Sequence, residues 1–157
     1  MSDLPDFTNY SQVDLIQQTI AFLTNRPMYG EAKIVDGFKI ISANSEETLF
    51  SISGKGKIYT GIIFIFTNHS VKSDIIELYI DDDRIFSEYW ETFWFYGIER
   101  PDDFVAWLSY YDESNHIYTL SIKSDITFEE SFKVKYCNNA NDNVKVSYKI
   151  IYALLQV

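Results

Sequence analysis

The chain has 157 residues, a length that favours one domain able to bury a sizeable core. Its 23 acidic and 13 basic side chains leave a formal charge of −10, which argues against a phosphate-binding face for nucleic acid and against an anionic membrane surface. The single cysteine, Cys137, excludes an intrachain disulfide, and with only His69 and His116 beside it the chain lacks the ligands of a usual structural zinc site.

The first residues, MSDLPDFTNYSQ, contain neither a positive region nor an apolar run, so no signal peptide is expected. No stretch reaches the length of a membrane span, and a cytoplasmic product is the expectation unless a larger particle carries it. Val13, Ile16, Ile20 and Leu23 then recur at helical spacing. Ser11 is a plausible N-cap, and Asn25, Arg26 and Pro27 close the segment. This predicts an amphipathic helix over about 11–25 within an arm of residues 1–30. Its apolar stripe packs on its own domain or docks on a neighbouring chain.

From residue 31 to 157 the pattern is β. In EAKIVDGFKIIS the pair Asp36-Gly37 sits between two apolar runs and predicts a hairpin turn. Thr48–Ser53 reads as a strand closed by the turn SGKGK. Lys57–Thr67 is apolar on both faces, with Tyr59, Ile63 and Ile65 on one and Ile58, Ile62, Phe64 and Phe66 on the other. Such a strand should be central and covered on both sides. Asp74–Asp81 follows as a strand, and Asp82 and Asp83 turn the chain.

Between Phe86 and Tyr111 lie eleven aromatic residues in twenty-six positions, including all three tryptophans. Pro101 makes the middle of this segment a loop. As a helix, Trp90, Phe93, Trp94 and Gly97 would share a side; the aromatic content favours strand. The number of rings exceeds what a sugar platform needs and what one small core hides. Core plus subunit interface is therefore the preferred reading, ahead of core alone and of a ligand platform.

Asn115–Lys123 and Ser131–Asn138 alternate as half-buried strands, the latter with Phe132, Val134 and Tyr136 opposite Lys133, Lys135 and Cys137. Val144–Leu155 keeps one face apolar throughout. Its other face changes from Lys145, Ser147 and Lys149 to Ile151, Ala153 and Leu155, so something should cover its far end. With about eight strands and no βαβ rhythm, the expected fold is a single antiparallel β-sandwich, jelly-roll-like, with one N-terminal amphipathic helix.

No motif carries chemistry. Asp81-Asp82-Asp83 lacks the glycine and the distal glutamate of a calcium loop and reads as a turn. Glu88, Glu91 and Glu99 lie near aromatics, as a pair of glycosidase acids would, but so must some acids in a chain this acidic. Gly54-Lys55-Gly56-Lys57 lacks the Ser or Thr and the helix of a phosphate loop.

Four stretches in this order, SGKGKIYTGIIFIF, ELYIDDDRI, ITFEESFKVKYCNN and KVSYKIIYALL, resemble in pattern the β-sandwich proteins of tailed phages and archaeal viruses, among them capsid decoration, neck and tail components. The likeness covers about Ser51 to Leu155, and Asp83 stands where such proteins would usually have glycine. It implies a non-enzymatic structural part of a virion, assembling as repeated copies, with other particle proteins as partners and no cofactor or metal. It carries over no functional residues. The interface candidates read from the residues are Trp90, Trp94, Phe95, Tyr96, Trp107, Tyr110, Ile151, Ala153 and Leu155. The helix offers Val13, Ile16, Ile20 and Leu23 for docking. The alternative is a carbohydrate-binding module stacking a glycan on Trp90, Trp94 and Trp107.

Overall fold

The computed structural model describes residues 12–20, 29–101 and 104–156. Residues 12–20 form helix α1. The expected cap at Ser11, the stop at Asn25–Pro27 and Leu23 lie outside the described residues. Ten strands follow: β1 Lys33–Ile41, β2 Ser45–Ser53, β3 Gly56–Phe66, β4 Ile75–Ile80, β5 Asp83–Tyr89, β6 Ala106–Asp112, β7 Ile117–Ile122, β8 Ile126–Phe128, β9 Ser131–Asn138 and β10 Val144–Leu154. Between β5 and β6 runs a six-residue helix, α2, Trp90–Phe95.

The strands form two antiparallel sheets, one ordered β1-β10-β3-β7-β6 with β8 also on β3, the other β2-β9-β4-β5. The pairing is nested. β1 lies on β10, β2 on β9, β3 on β7 and β4 on β5, as if one long hairpin had been folded at the β4–β5 turn and rolled up. That is the jelly-roll arrangement, with β6 and β8 added. Inward residues of both sheets meet in one core: Ile63 and Ile65 from β3, Leu120 from β7, Ile76 and Leu78 from β4, and Phe132, Val134 and Tyr136 from β9 are all fully buried.

Three expectations change. The Asp36-Gly37 pair makes no turn, and β1 runs straight through it, with Gly37 opposite Tyr148 of β10. A Cβ on Gly37 would stand 3.0 Å from the Tyr148 hydroxyl, so glycine is there to let that ring pass inward, where it lies 5.3 Å from the Phe50 ring. The turns are where the acidic and glycine-rich stretches place them. Gly54 has φ +114°, and Asp81 and Asp82 have φ 52° and 65°, the left-handed pair of a tight hairpin.

The second change is at Trp90–Phe95, which is helical rather than extended. Helical spacing turns Trp90 and Phe93 into the core, where their rings lie 6.4 Å apart and Phe93 packs 5.6 Å from Phe86. The first amides of α2 have carbonyls waiting for them: Trp90 N–H donates to Asp74 O at 3.0 Å and Glu91 N–H to Lys72 O at 3.2 Å. Gly97, at φ 65°, ends the turn, and Gly97 N–H donates to Trp94 O.

The third concerns β3. It is central, as expected, but only one face is covered by the described chain. Ile62, Phe64 and Phe66 remain 42%, 39% and 58% exposed.

Candidate assembly surface

Residues paired across a sheet share a face, so the strand register maps the outer side of the larger sheet row by row. One row runs Phe38, Ser147, Phe64, Thr119 and Tyr110 across all five strands. A neighbouring row runs Asp36, Lys149, Ile62, Ser121 and Trp107. Further rows join Ile34 to Ile151 and Ile40 to Lys145.

On this face Ile34, Phe38 and Ile40 of β1 are 57–58% exposed, and Ile62, Phe64 and Phe66 of β3 stand two strands away. Large apolar side chains open to this degree leave on the order of several hundred Å² of apolar surface, which reaches the largest patch of an ordinary monomer. Polar relief comes from β10, whose Lys145 and Lys149 rise between the two apolar rows; the Lys145 ammonium sits 4.5 Å from the centre of the Phe38 ring. A hollow of about 360 Å³ opens between Phe64, Phe66, Lys145 and Ser147. At Phe66 and Lys145 it meets a second hollow, of about 580 Å³, walled by Thr67, His69 and Asn141–Asn143 at the end of the sandwich.

The sequence-derived candidates fall in three places. Tyr110, 52% exposed, and the half-buried Trp107 and Ile151 belong to this face. Phe95 and Tyr96, 80% and 77% exposed, form an edge-on pair at the end of α2. Trp90 is 2% exposed and Ala153 fully buried, which removes both from any surface. Trp90 is turned inward by the helical geometry of α2. Ala153 lies at the covered end of β10, where Gly30 N–H donates to Leu154 O at 2.7 Å and Tyr29 bridges to the half-buried Leu155. The incoming arm thus reaches the far end of β10, where a cover was expected. Of the helix candidates, Val13, Ile16 and Ile20 are 55–58% exposed.

The signal that reasoning from sequence missed was Ile34, Phe38 and Ile40. Reading a hairpin at Asp36-Gly37 broke their period-2 alternation in half. Read as one strand, they line up on a single face.

The tryptophans do not form one platform. Trp90 is inside, and Trp94 is already engaged, its ring stacked on Tyr111 at 5.3 Å and 15° with the Lys72 ammonium 4.4 Å above it. Beneath it, Glu113 accepts hydrogen bonds from the Tyr111 and Tyr118 hydroxyls at 2.8 and 2.7 Å. Burial and this carboxylate push both phenols well above their ordinary range. Glu88 lies on β5, Glu91 in the first turn of α2 and Glu99 in the loop beyond it, and they do not form a tight group of three ligand atoms. Among the described residues, the one group of three acid or thiol ligand atoms within 4.8 Å is Glu46, Glu77 and Cys137. There burial and the neighbouring Glu77 push the thiol up to about 12, so with no cation bound it stays protonated at neutral pH.

The outer side of the smaller sheet is polar over β9 and β4, with Ile85 and Tyr89 open on its edge strand β5. Glu77, 7% exposed, accepts from Tyr79 Oη at 2.8 Å, Arg84 Nη1 at 3.2 Å and Ser87 Oγ at 3.2 Å. Lys133 and Lys135 lie over the Tyr79 ring, and Lys133 Nζ also reaches Asp82 at 3.0 Å. The Asp81 carboxylate crosses to the β8–β9 turn and accepts the backbone N–H groups of Glu129, Glu130 and Ser131, which hold it below the usual carboxylate range. The acidic run is therefore a turn and a brace.

No protein-family model matches the chain, and no curated protein is similar to it in sequence. Among solved structures the chain is similar to one in the acidic stable capsid structure of Helicobacter pylori bacteriophage KHP30, with a TM-score of 0.53 at 13% identity, over 82% of this chain and 92% of that one. At that identity the likeness is one of fold: both chains share the sandwich over most of their length. Among the described residues no helix is long and apolar enough to cross a membrane.

Proposed function

We propose that this chain is a non-enzymatic structural component of a virus particle, which works through protein–protein contacts between its own copies and with other particle proteins. The observation that carries this reading is the open apolar outer face of the β1-β10-β3-β7-β6 sheet. A chain of formal charge −10 has ample polar side chains to cover such a face, and it covers the opposite sheet with them. Leaving one face apolar fits a surface that is buried on assembly. The likeness in fold to a chain of a capsid structure points the same way. In this reading residues 31–157 form the particle's β-sandwich, residues 1–30 are an arm, and the finished protein resides in the virion.

The test is the solution mass of the purified chain, by light scattering across a concentration series. A discrete oligomer, or growth into larger closed or tubular assemblies, is expected. A monomer of 18.4 kDa at every concentration would remove self-assembly from the reading and leave only the contacts with other particle proteins.

A further inference from the structure

The open face is shaped as a trough. β10 lies between β1 and β3, and its outward side chains in the middle of the strand are Lys145, Ser147 and Lys149. On either side stand the apolar ridges Ile34, Phe38, Ile40 and Ile62, Phe64, Phe66. Two strand spacings separate the ridges by about 9.5 Å. An α-helix with its side chains is about 10–12 Å across, so a helix can rest on both ridges at once with its lower side chains between them. Ridges running from Ile34 to Ile40 are about 20 Å long, enough for the roughly 13 Å of a nine-residue helix.

The same chain carries a helix that suits this trough. On α1, Val13, Ile16 and Ile20 fall on one stripe and are 55–58% exposed, so the described helix does not rest on its own sheet. The charges also differ in sign. Residues 1–20 contain Asp3, Asp6 and Asp14 and no Lys or Arg, while the trough carries two lysines, Lys149 beside Asp36 of β1 and Lys145 over the Phe38 ring. Residues 21–28 separate α1 from Tyr29, which is fixed to Leu155 beside the sheet. Eight residues reach at most about 29 Å, long enough to hand the helix to an adjacent molecule.

We propose that α1 of one copy lies in the β1/β10/β3 trough of a second copy, so that the particle is joined by exchanged arms. This rests on the self-assembly reading above and names its contact. Val13 and Ile16 enter between Phe38 and Phe64, and the hollow at Phe64, Phe66, Lys145 and Ser147 receives an apolar side chain, while Asp14, on another side of the helix, stays at the rim.

The test uses the full chain with Cys137→Ser, so that engineered cysteines are the sole thiols. One batch carries Ile16→Cys, a second Ile62→Cys, and a third both. Under mild oxidation the mixture of the first two should give a crosslinked dimer, which 1 M salt during oxidation reduces but does not abolish. In parallel, Ile16→Asp, at a position exposed in the monomer, should weaken self-association about tenfold or more with unchanged far-UV circular dichroism. Phe64→Ser should do the same. An intramolecular crosslink in the third batch, with no dimer from the mixture, would overturn the exchange and place the helix on its own sheet. If Phe64→Ser dissolves the oligomer and Ile16→Asp does not, the sheets pack face to face, and the helix proposal fails while self-assembly stands. A monomer in every preparation would bring down both.

Discussion

The two outer faces of the sandwich are built from the same alternating strands and end up with opposite characters. On the β2-β9-β4-β5 side, polar groups bind one another: Glu77 gathers Tyr79, Arg84 and Ser87, and Lys133 reaches Asp82. On the β1-β10-β3-β7-β6 side, isoleucines and phenylalanines stand open beside two lysines. The first pattern is that of a face finished against water. The second is that of a face left for another surface. Hydrophobic stabilisation requires only that one side of each sheet be buried, so the difference between the outer sides is not needed by the fold of one chain and belongs to what the chain does next.

The sharpest way to break this contrast is to give the open face the chemistry of the finished one. Phe38→Glu with Phe64→Glu should weaken self-association a hundredfold or more in light scattering, while monomer thermal stability stays within a few degrees, since both side chains are already exposed. Lys133→Ala with Lys135→Ala on the other face should leave the mass unchanged. A reversed outcome would move the assembly surface to the polar sheet.

A smaller effect is expected from damaging the finished face. Glu77→Ala strands the Tyr79 and Ser87 hydroxyls and should cost about 1 kcal/mol in urea unfolding, with assembly intact. Its ion pair with Arg84 adds little, because the arginine is 58% exposed. A loss of assembly without a loss of stability would show that this face also makes contacts.

The smallest concerns the brace between β4 and the β8–β9 turn. The folded pKa of Asp81 is depressed, so its contribution is present above the unfolded carboxylate value, about 3.9, and is lost as pH falls through the lower folded value. Asp81→Asn tolerates the same positive φ and removes only the charge. The variant should melt below the parent at pH 6–7, and the two curves should converge in acid, once the pH has fallen through the depressed folded value. A gap that persists in acid would assign the effect to the turn rather than to the carboxylate.

Much of this fold was legible in the chain. The alternation of β9 and β10, the two-sided apolarity of β3 and the turn at Gly54 lie where the residues put them, and the acidic turn falls one residue earlier than expected, at Asp81–Asp82 with Asp83 already in β5. The strand order was not, because nested pairing joins residues as distant as Lys33 and Tyr152, and no local pattern encodes a partner so far away. Two local signals misled. Gly37 is a glycine needed by a ring on the next strand rather than by a turn. Trp90–Phe95 has strand-like composition, yet helical spacing buries Trp90 and Phe93 together, and that packing outweighs propensity. The open apolar face was half visible. Its β3 side reads in the sequence as needing a cover, but its β1 side was hidden by the supposed hairpin.

The place of β10 has a consequence in time. It is the last of the ten strands to be synthesised, and it enters between β1 and β3, which wait for it with no bond to each other. Closing that gap pairs residues near opposite ends of the described chain, such as Lys33 and Tyr152, the kind of non-local step that makes β-proteins slow to fold. Until it happens, the two ridges are not held at their spacing and the lysines of the floor are missing. The open apolar face therefore takes shape only once β10 is in place, and on the reading proposed above association follows the completion of the sandwich.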